Sequence, residues 1–456
     1  MDRRFEERKR ELLEDCQVAP EVFQGMMQRL ECFAQPFLRL LNRSEQRAHA
    51  TQYFSGLLSD LHQKNCEAIA YRHDEDRQGL QLFIGASPWD YQPWVSELAG
   101  QVGEKIGESD GVIAFDPSAF PKSGEHSVGT QRQWCGRLGK LENCQVGVFM
   151  GYVSREEHAL VNMRLYLPNE WAKDRTRRNK CGVPREIRYH TRHQLALQML
   201  AESGPLLPHD WITGDDEMGR PYRFRRDLDA LNEKYLLAVP DNTSIRDLEA
   251  EPPPYKGQGT HPKVPFQRVS QWRESLPDEA WTRVEVRDAE KGPLVVHIVK
   301  CRVCTRTERR AVGEPETLVV IRYREEGAIK HDYYLSNAPI STPLKEFARV
   351  AKAHHRIEHC IQRAKSEAGL ADYQVRTWQG WHHHIILSMV ATWFLISEKR
   401  RGEKMDTSHH GSTNTRRTCP IDPSAHSMRH SGTHYQRENS MACAKRAGKV
   451  LSPQST

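Results

Sequence analysis

The chain has 456 residues, 38% hydrophobic and 28% charged, with a net charge of +6 and a pI near 8.7. That length buries a large core and divides more naturally into two or three domains than one, and its Lys/Arg excess, in a chain already rich in acids, allows a polyanionic partner without demanding one. Eleven scattered cysteines, a charged start (MDRRFEERKRELLEDC), and a longest apolar run (IILSMVATWFLI from Ile385) too short to span a bilayer argue against a disulfide scaffold, a secreted chain and a membrane protein, and lead us to expect reduced thiols in a cytoplasm.

Residues 1–105 read as a helical N-terminal region. In RSEQRAHATQYFSGLLSDLHQKNCEAIA, Tyr53, Leu57, Leu61 and Ile69 fall at helix-compatible spacing behind Ser44 as a candidate N-cap. From Gly111 the texture changes to short apolar runs: GVIAFD, then CQVGVFMGYVS and HALVNMRLYLP joined by a polar turn at Ser154–Glu157. These predict a three-stranded meander. TRHQLALQMLAES predicts a helix ending near Gly204-Pro205, and WITGDD a further strand closing on acids. The order β-β-β-α-β is typical of an RNase H-like mixed sheet.

After KYLLAVP a Pro-rich stretch opens a β-rich insertion, assigned to 240–330, with strand-like runs TRVEVRD, PLVVHIVKCRV, TLVVIRYR and KHDYYLSN. Thr342-Pro343 reads as the N-cap and first residue of a long helix whose apolar face is Leu344, Phe347, Val350, Ile357, Ile361 and Ala364. A second helix is expected from about Trp378. The tail, 401–456, is poor in apolar residues and is expected to be disordered. The expected fold is therefore α/β: an RNase H-like mixed sheet with flanking helices (106–239 and 331–400), the β-rich insertion, and the helical N-terminal domain.

Two strand ends carry an aspartate, Asp116 after VIAF and Asp215 after WITG. Neighbouring strands of one sheet would bring them to a common edge, and Glu358 on the long helix is the best third acid, with Lys365 two turns along nearly the same face. Converging carboxylates raise one another's pKa unless a cation sits among them, and hard oxygen ligands suit Mg²⁺ or Mn²⁺. Two such ions, about 4 Å apart, would activate a water or a 3′-hydroxyl and stabilise a leaving 3′-oxygen.

Other features have plainer readings. Asp216 rivals Asp215, while Glu367 points to a different face from Glu358. Cys301 and Cys304 form a CxxC with no second pair, so zinc is not expected. His382, His383 and His384 splay over different faces of a helix, which suits a satisfied or DNA-facing role. Lys122, RRNK at 177–180 and RRDLD at 225–229 are solvated turns and faces or phosphate contacts, and Trp378 and Trp381 are core residues or stacking platforms.

The motifs also carry a resemblance. DPSAFPKSGEHSVGTQRQWCGRLGKLENCQVGVFMGYVS, RLYLPNEWAKDRTRRNKCGVP, GDDEMG and RIEHCIQRAKSEAGLADYQVRTWQGWHHHIILSMVATWFL together resemble the DDE transposases of bacterial insertion sequences, most closely the insertion-sequence 701 branch, over roughly residues 36 to 400. The resemblance implies Asp116, Asp215 and Glu358 as catalytic metal ligands for Mg²⁺ or Mn²⁺. It implies strand cleavage and transfer at terminal inverted repeats, with double-stranded DNA ends and a target site as partners. It further implies a homodimer on paired ends, repeat recognition by the N-terminal region, and a bacterial cytoplasm with nucleoid association on DNA. Met218 stands where the family has Tyr, and Ala351 and His354 replace the wider group's Tyr and Arg before the glutamate, so Arg356 or Lys365 is the expected substitute for gripping the DNA phosphates, with Lys122 of FPKSG a further candidate DNA contact. The family pattern stops near Arg400, which leaves a catalytically impaired DNA-binding remnant as the alternative. A general nuclease on the same fold is a further rival.

Overall fold

A computed structural model describes residues 25–409 apart from 258, 290, 291 and 326. The first 24 residues, and the tail beyond His409 for which disorder is expected, lie outside the described residues. Five helices come first: α1 (Met26–Leu38), α2 (Ser44–Leu57), α3 (Cys66–Arg72), α4 (Arg77–Gly85) and α5 (Gln92–Ile106). Ser44 is the first helical residue and Arg43 holds the cap position, so the cap lies one residue before the predicted one. The helical pattern is also interrupted after Leu57, and a fresh start is made where Asn65 Oδ1 accepts a hydrogen bond from Ala68 N at 3.0 Å.

The sheet then begins with β1 (Val112–Pro121), β2 (Gln131–Cys135), β3 (Lys140–Val153) and β4 (His158–Leu165). Short helices α6 (Asn169–Lys173) and α7 (Arg175–Lys180) lead to α8 (Arg192–Ser203), where Thr191 caps by accepting from Gln194 N. Next come β5 (Trp211–Gly214), α9 (Asp216–Gly219), α10 (Tyr222–Ala230) and β6 (Tyr235–Val239). β4, β3 and β1 pair antiparallel, and β5 then β6 join parallel on the far side of β1. The order β4-β3-β1-β5-β6 is that of an RNase H-like mixed sheet. β3 runs on beyond β1, and the overhang pairs with β2, a strand hidden in the polar run QRQWC.

The insertion extends this sheet. It contributes β7 (Ser244–Asp247), β8 (Gln267–Arg268), α11 (Val269–Glu274), β9 (Thr282–Ala289), β10 (Gly292–Arg306), β11 (Val312–Glu325) and β12 (Ala328–Ser336). β12 returns to pair antiparallel with β6, and the order continues β12-β11-β10-β7-β8, with β9 on the free half of β10.

Two long helices follow, α12 (Leu344–Glu367) and α13 (Trp378–His409). Pro343, not Thr342, holds the N-cap position of α12, and the Thr342 carbonyl instead accepts from Lys300 Nζ at 2.7 Å. Of the predicted apolar face, Phe347, Val350, Ile357, Ile361 and Ala364 are buried, and Leu344 is half-buried. α13 runs on past residue 401 to His409, into the segment assigned to the tail.

β3 is buried continuously from Cys144 to Val153 because helices cover both faces. Ile357 of α12 and Trp381 of α13 lie against Gly151 and Gly147 on one face. On the other, Asn162 of β4 donates to Ser203 Oγ at the end of α8 at 2.8 Å.

Candidate active site

β1 is buried through Phe115, and its chain then presents Asp116. The parallel register matches Val112 with Trp211 and Phe115 with Gly214, so the next residues, Asp116 and Asp215, lie side by side. Asp215 sits just past the end of β5 but Asp116 midway along β1, which the sequence reading ended at the aspartate and which runs on to Pro121 through its pairing with β3. Beyond Gly214 the chain turns at once into α9, with Asp215 Oδ1 accepting from Met218 N at 2.9 Å. Two glycines make that turn possible. A Cβ on Gly214 would come 2.9 Å from Met218 Cβ, and one on Gly219 would lie 1.9 Å from the Ala238 carbonyl oxygen. Asp216, the rival ligand, is exposed and pairs with Arg220 at 3.2 Å.

α12 brings the third acid. Gly151 lies opposite Ala114, and a Cβ there would meet Ile357 Cδ1 at 2.2 Å, so the helix rests almost directly on the strand beside Glu358. Further along, Lys365 Nζ donates to Ser118 Oγ at 2.7 Å, two residues past Asp116 and therefore on the same face of β1. Glu358 keeps a side chain 51% exposed, with Oε2 accepting from His355 Nδ1 at 3.3 Å and Oε1 3.8 Å from His354 Nδ1.

The electrostatics divide the three acids. Burial pushes the Asp116 carboxyl well above the usual range, and the charges of Asp215 and Glu358 push it further. Asp215 is raised to about 7, mainly by burial and against the pull of its hydrogen bond from Met218 N, with Glu217, Asp216 and Glu358 adding to the rise. Glu358 is lowered by its hydrogen bond from His355. Two buried carboxylates that repel each other, beside a third held below its ordinary range, form a donor set that a hard cation would satisfy. His354, His355 and Glu358 offer ligand atoms within 4.8 Å of one another, so imidazole nitrogens flank the oxygen donors on the helix side.

The other candidates are disposed as follows. Lys122 is turned inward, its Nζ 3.5 Å from the Tyr373 ring centroid, and burial lowers it to about 8. Arg356 Nη1 donates to the carbonyls of Ser154 and Arg155 at 2.9 and 2.8 Å, bracing the turn between β3 and β4. Glu367 pairs with Arg363. Cys301 and Cys304 are buried, with Cys301 Sγ donating to Asp247 Oδ1 at 3.1 Å. Trp378 and Trp381 belong to the core, and the three consecutive histidines of α13 are fully buried among backbone carbonyls. Arg225, in RRDLD, is an interior residue rather than a solvated one.

Three participants escaped the sequence reading. Ser118 was lost among small turn residues. His355 precedes Glu358 by three residues, a spacing that puts both on one helix face, so it was within reach. The third is the buried pair of Arg225 and Glu316 at 2.7 Å, whose members lie 91 residues apart. Arg225 Nη1 also donates to the Gly219 carbonyl at 2.5 Å, which ties insertion strand β11 to the turn that carries Asp215.

A curated relative, the probable transposase for insertion sequence element IS701 from Microchaete diplosiphon, is 29% identical over 205 residues, which cover 42% of this chain and 49% of that protein. The chain thus spans about half the length of the curated relative it matches. Among solved structures, the piggyBac transposase synaptic complex with hairpin DNA superposes with a TM-score of 0.40 at 10% identity, over 96% of this chain and 81% of that one, too loosely to argue from. The family described as DDE superfamily endonuclease matches residues 36–293, more than half of the chain, including Asp116 and Asp215 and stopping short of α12. On that match, the chain belongs to the DDE superfamily endonuclease family.

Proposed function

We propose that this protein is a transposase that cleaves and joins DNA strands at the terminal inverted repeats of an insertion sequence. The observation that carries the reading is the register of β1 with β5, which sets Asp116 beside Asp215, under a helix that bears Glu358 and is fastened to β1 by Lys365 and Ser118. Asp116, Asp215 and Glu358 would hold Mg²⁺ or Mn²⁺. The chemistry such ions supply is activation of a water or 3′-hydroxyl and stabilisation of the leaving oxygen. For the protein's own part, burial and mutual repulsion make Asp116 and Asp215 costly to ionise without a cation, and the hydrogen bond from His355 favours and orients the Glu358 carboxylate. Lys365, one side chain from Asp116 on the same face, is suited to a phosphate oxygen of the bound strand. The resemblance to insertion-sequence transposases supports the partners, double-stranded repeat ends and target DNA, and a homodimer on paired ends.

The test is cleavage of a labelled duplex carrying the element's own terminal repeat, with Mg²⁺, by the natural protein, Asp116→Asn and Glu358→Gln. Cutting at the repeat end by the natural protein, reduced at least about 10³-fold by either substitution, is expected, because each removes a ligand charge. Cutting indifferent to the repeat would favour a general nuclease. Repeat binding with no cutting by the natural protein would overturn the active-enzyme reading in favour of an impaired remnant.

A further inference from the structure

The positive charge of this chain is not spread as its bulk composition suggests. The twenty residues from Lys173 to Arg192 carry eight lysines and arginines against two acids, leaving fifty-eight of each sign in the rest of the chain. That one short segment, running from the end of α6 to the start of α8, thus carries a charge of +6, equal to the net charge of the whole chain.

That segment is built rather than loose. Arg178 is buried, and its guanidinium gathers three backbone carbonyls, donating to Ala172 at 3.1 Å and to Pro184 and Ile187 at 2.8 Å each. Arg177 stacks on Trp171, 3.9 Å from its ring. With these two spent on the interior and Arg192 paired with Glu217, Lys173, Arg175, Lys180, Arg185 and Arg188 are left exposed on a braced scaffold.

Its position relates it to the candidate active site. Trp378 N, at the start of α13, donates to the Cys181 carbonyl at 2.8 Å, and Val128 N, in the loop leading to β2, donates to the Arg376 carbonyl at 2.9 Å. α13 covers the sheet face that carries Asp116. On that same face the overhanging end of β3 and its partner β2 expose Trp134, 55% accessible, beside Arg132. Asp116 pairs with Phe149 and Trp134 with Leu141, so eight residues of β3, or about 26 Å, separate the two. That is about eight base pairs of duplex.

We infer that residues 173–188, with Arg132 and Trp134 at the sheet's overhang, form the surface that grips the backbone of the DNA duplex flanking the reaction point. The inference rests on the reading of the protein as a DNA-cleaving enzyme and adds to it where the duplex runs. Exposed cations on a rigid support neutralise phosphates and release counterions, which gives tight, sequence-blind, salt-sensitive binding.

The experiment compares the full chain with a variant carrying Arg175→Gln, Lys180→Gln, Arg185→Gln and Arg188→Gln. Anisotropy of a labelled terminal-repeat duplex is measured over a series of salt concentrations, with Asp116→Asn as the control that retains this surface. All four substituted side chains are exposed, and an unchanged melting temperature will verify folding. The expected result is a salt slope shallower by about 3 to 4, at about 0.9 per phosphate contact, and an affinity lower by about 10³-fold near 0.1 M salt. Equal slopes and affinities on long duplexes would overturn this inference alone, as would a variant that loses self-association while binding DNA unchanged. Failure of both the natural protein and Asp116→Asn to bind any duplex would overturn the transposase reading with it.

Discussion

At the scale of single residues, the candidate site depends on atoms that are missing as much as on those present. Gly219 is the sharpest case, because the Ala238 carbonyl occupies the space of its absent Cβ at 1.9 Å. Gly219→Ala must therefore displace backbone on β6 or open the α9 turn, and we expect it to cost about 2–4 kcal/mol in urea unfolding. It should also lower cleavage by more than the loss of folded protein explains, since the same turn orients Asp215. A variant as stable as the natural protein would mean that the turn relaxes freely and that the glycine is not sterically required. The aspartates themselves were legible, because an acid at the tip of an apolar run is conspicuous in sequence. The atoms that aim them were less so: Ser118 and Gly151 have no signature apart from the elements that bring them near, whereas His355 could have been read from its spacing to Glu358.

At the scale of elements, the apolar strands and the two long helices could be read from period and punctuation, whereas the short polar strands β2, β7 and β8 and the joints between elements could not. β2 escaped because QRQWC alternates partly exposed residues at a sheet edge and has no apolar run. Met218, where a tyrosine was expected, is simply buried beneath Gly214. The joint between the insertion and the Asp215 turn is the Arg225–Glu316 pair, which are 2% and 5% exposed. Glu316 also accepts from Tyr235 Oη at 2.8 Å and Thr305 Oγ1 at 3.1 Å, so β6, β10 and β11 meet on one carboxylate. Removing only the cation strands a buried charge: Arg225→Met should cost about 3–5 kcal/mol, whereas Arg225→Met with Glu316→Leu should recover most of that loss. Chemical denaturation of the two variants checks this. Equal destabilisation would show that the arginine acts through its carbonyl contacts at Gly219 and Arg220 rather than through the ion pair.

At the scale of the whole molecule, α13 is the seam between the N-terminal helices and the catalytic sheet, and its histidines make that seam sensitive to acid. His384 accepts from Tyr53 Oη at Nδ1, 2.8 Å, and donates from Nε2 to the Gly369 carbonyl at 3.0 Å. His382 donates from Nδ1 to the Trp378 carbonyl at 2.8 Å. Burial lowers both to about 3, against about 6.5 in an unfolded chain. The unfolded state therefore takes up two protons that the folded state refuses, and stability is full above pH 6.5 and lost as pH falls below it. Between pH 6.5 and pH 5 the loss from these two rings should be about 3 kcal/mol. His382→Asn, which keeps a donor near Nδ1, should flatten about half of that slope in denaturation midpoints measured against pH. A slope identical to that of the natural protein would remove His382 from the account. The return of β12 to β6 carries a different lesson, for anyone seeking a minimal version of the enzyme. Cutting out 240–336 would lay bare the whole hydrogen-bonding margin of β6 and leave Arg225 facing no acid, so the trimmed chain should clump edge to edge through this newly opened strand rather than survive as a smaller nuclease.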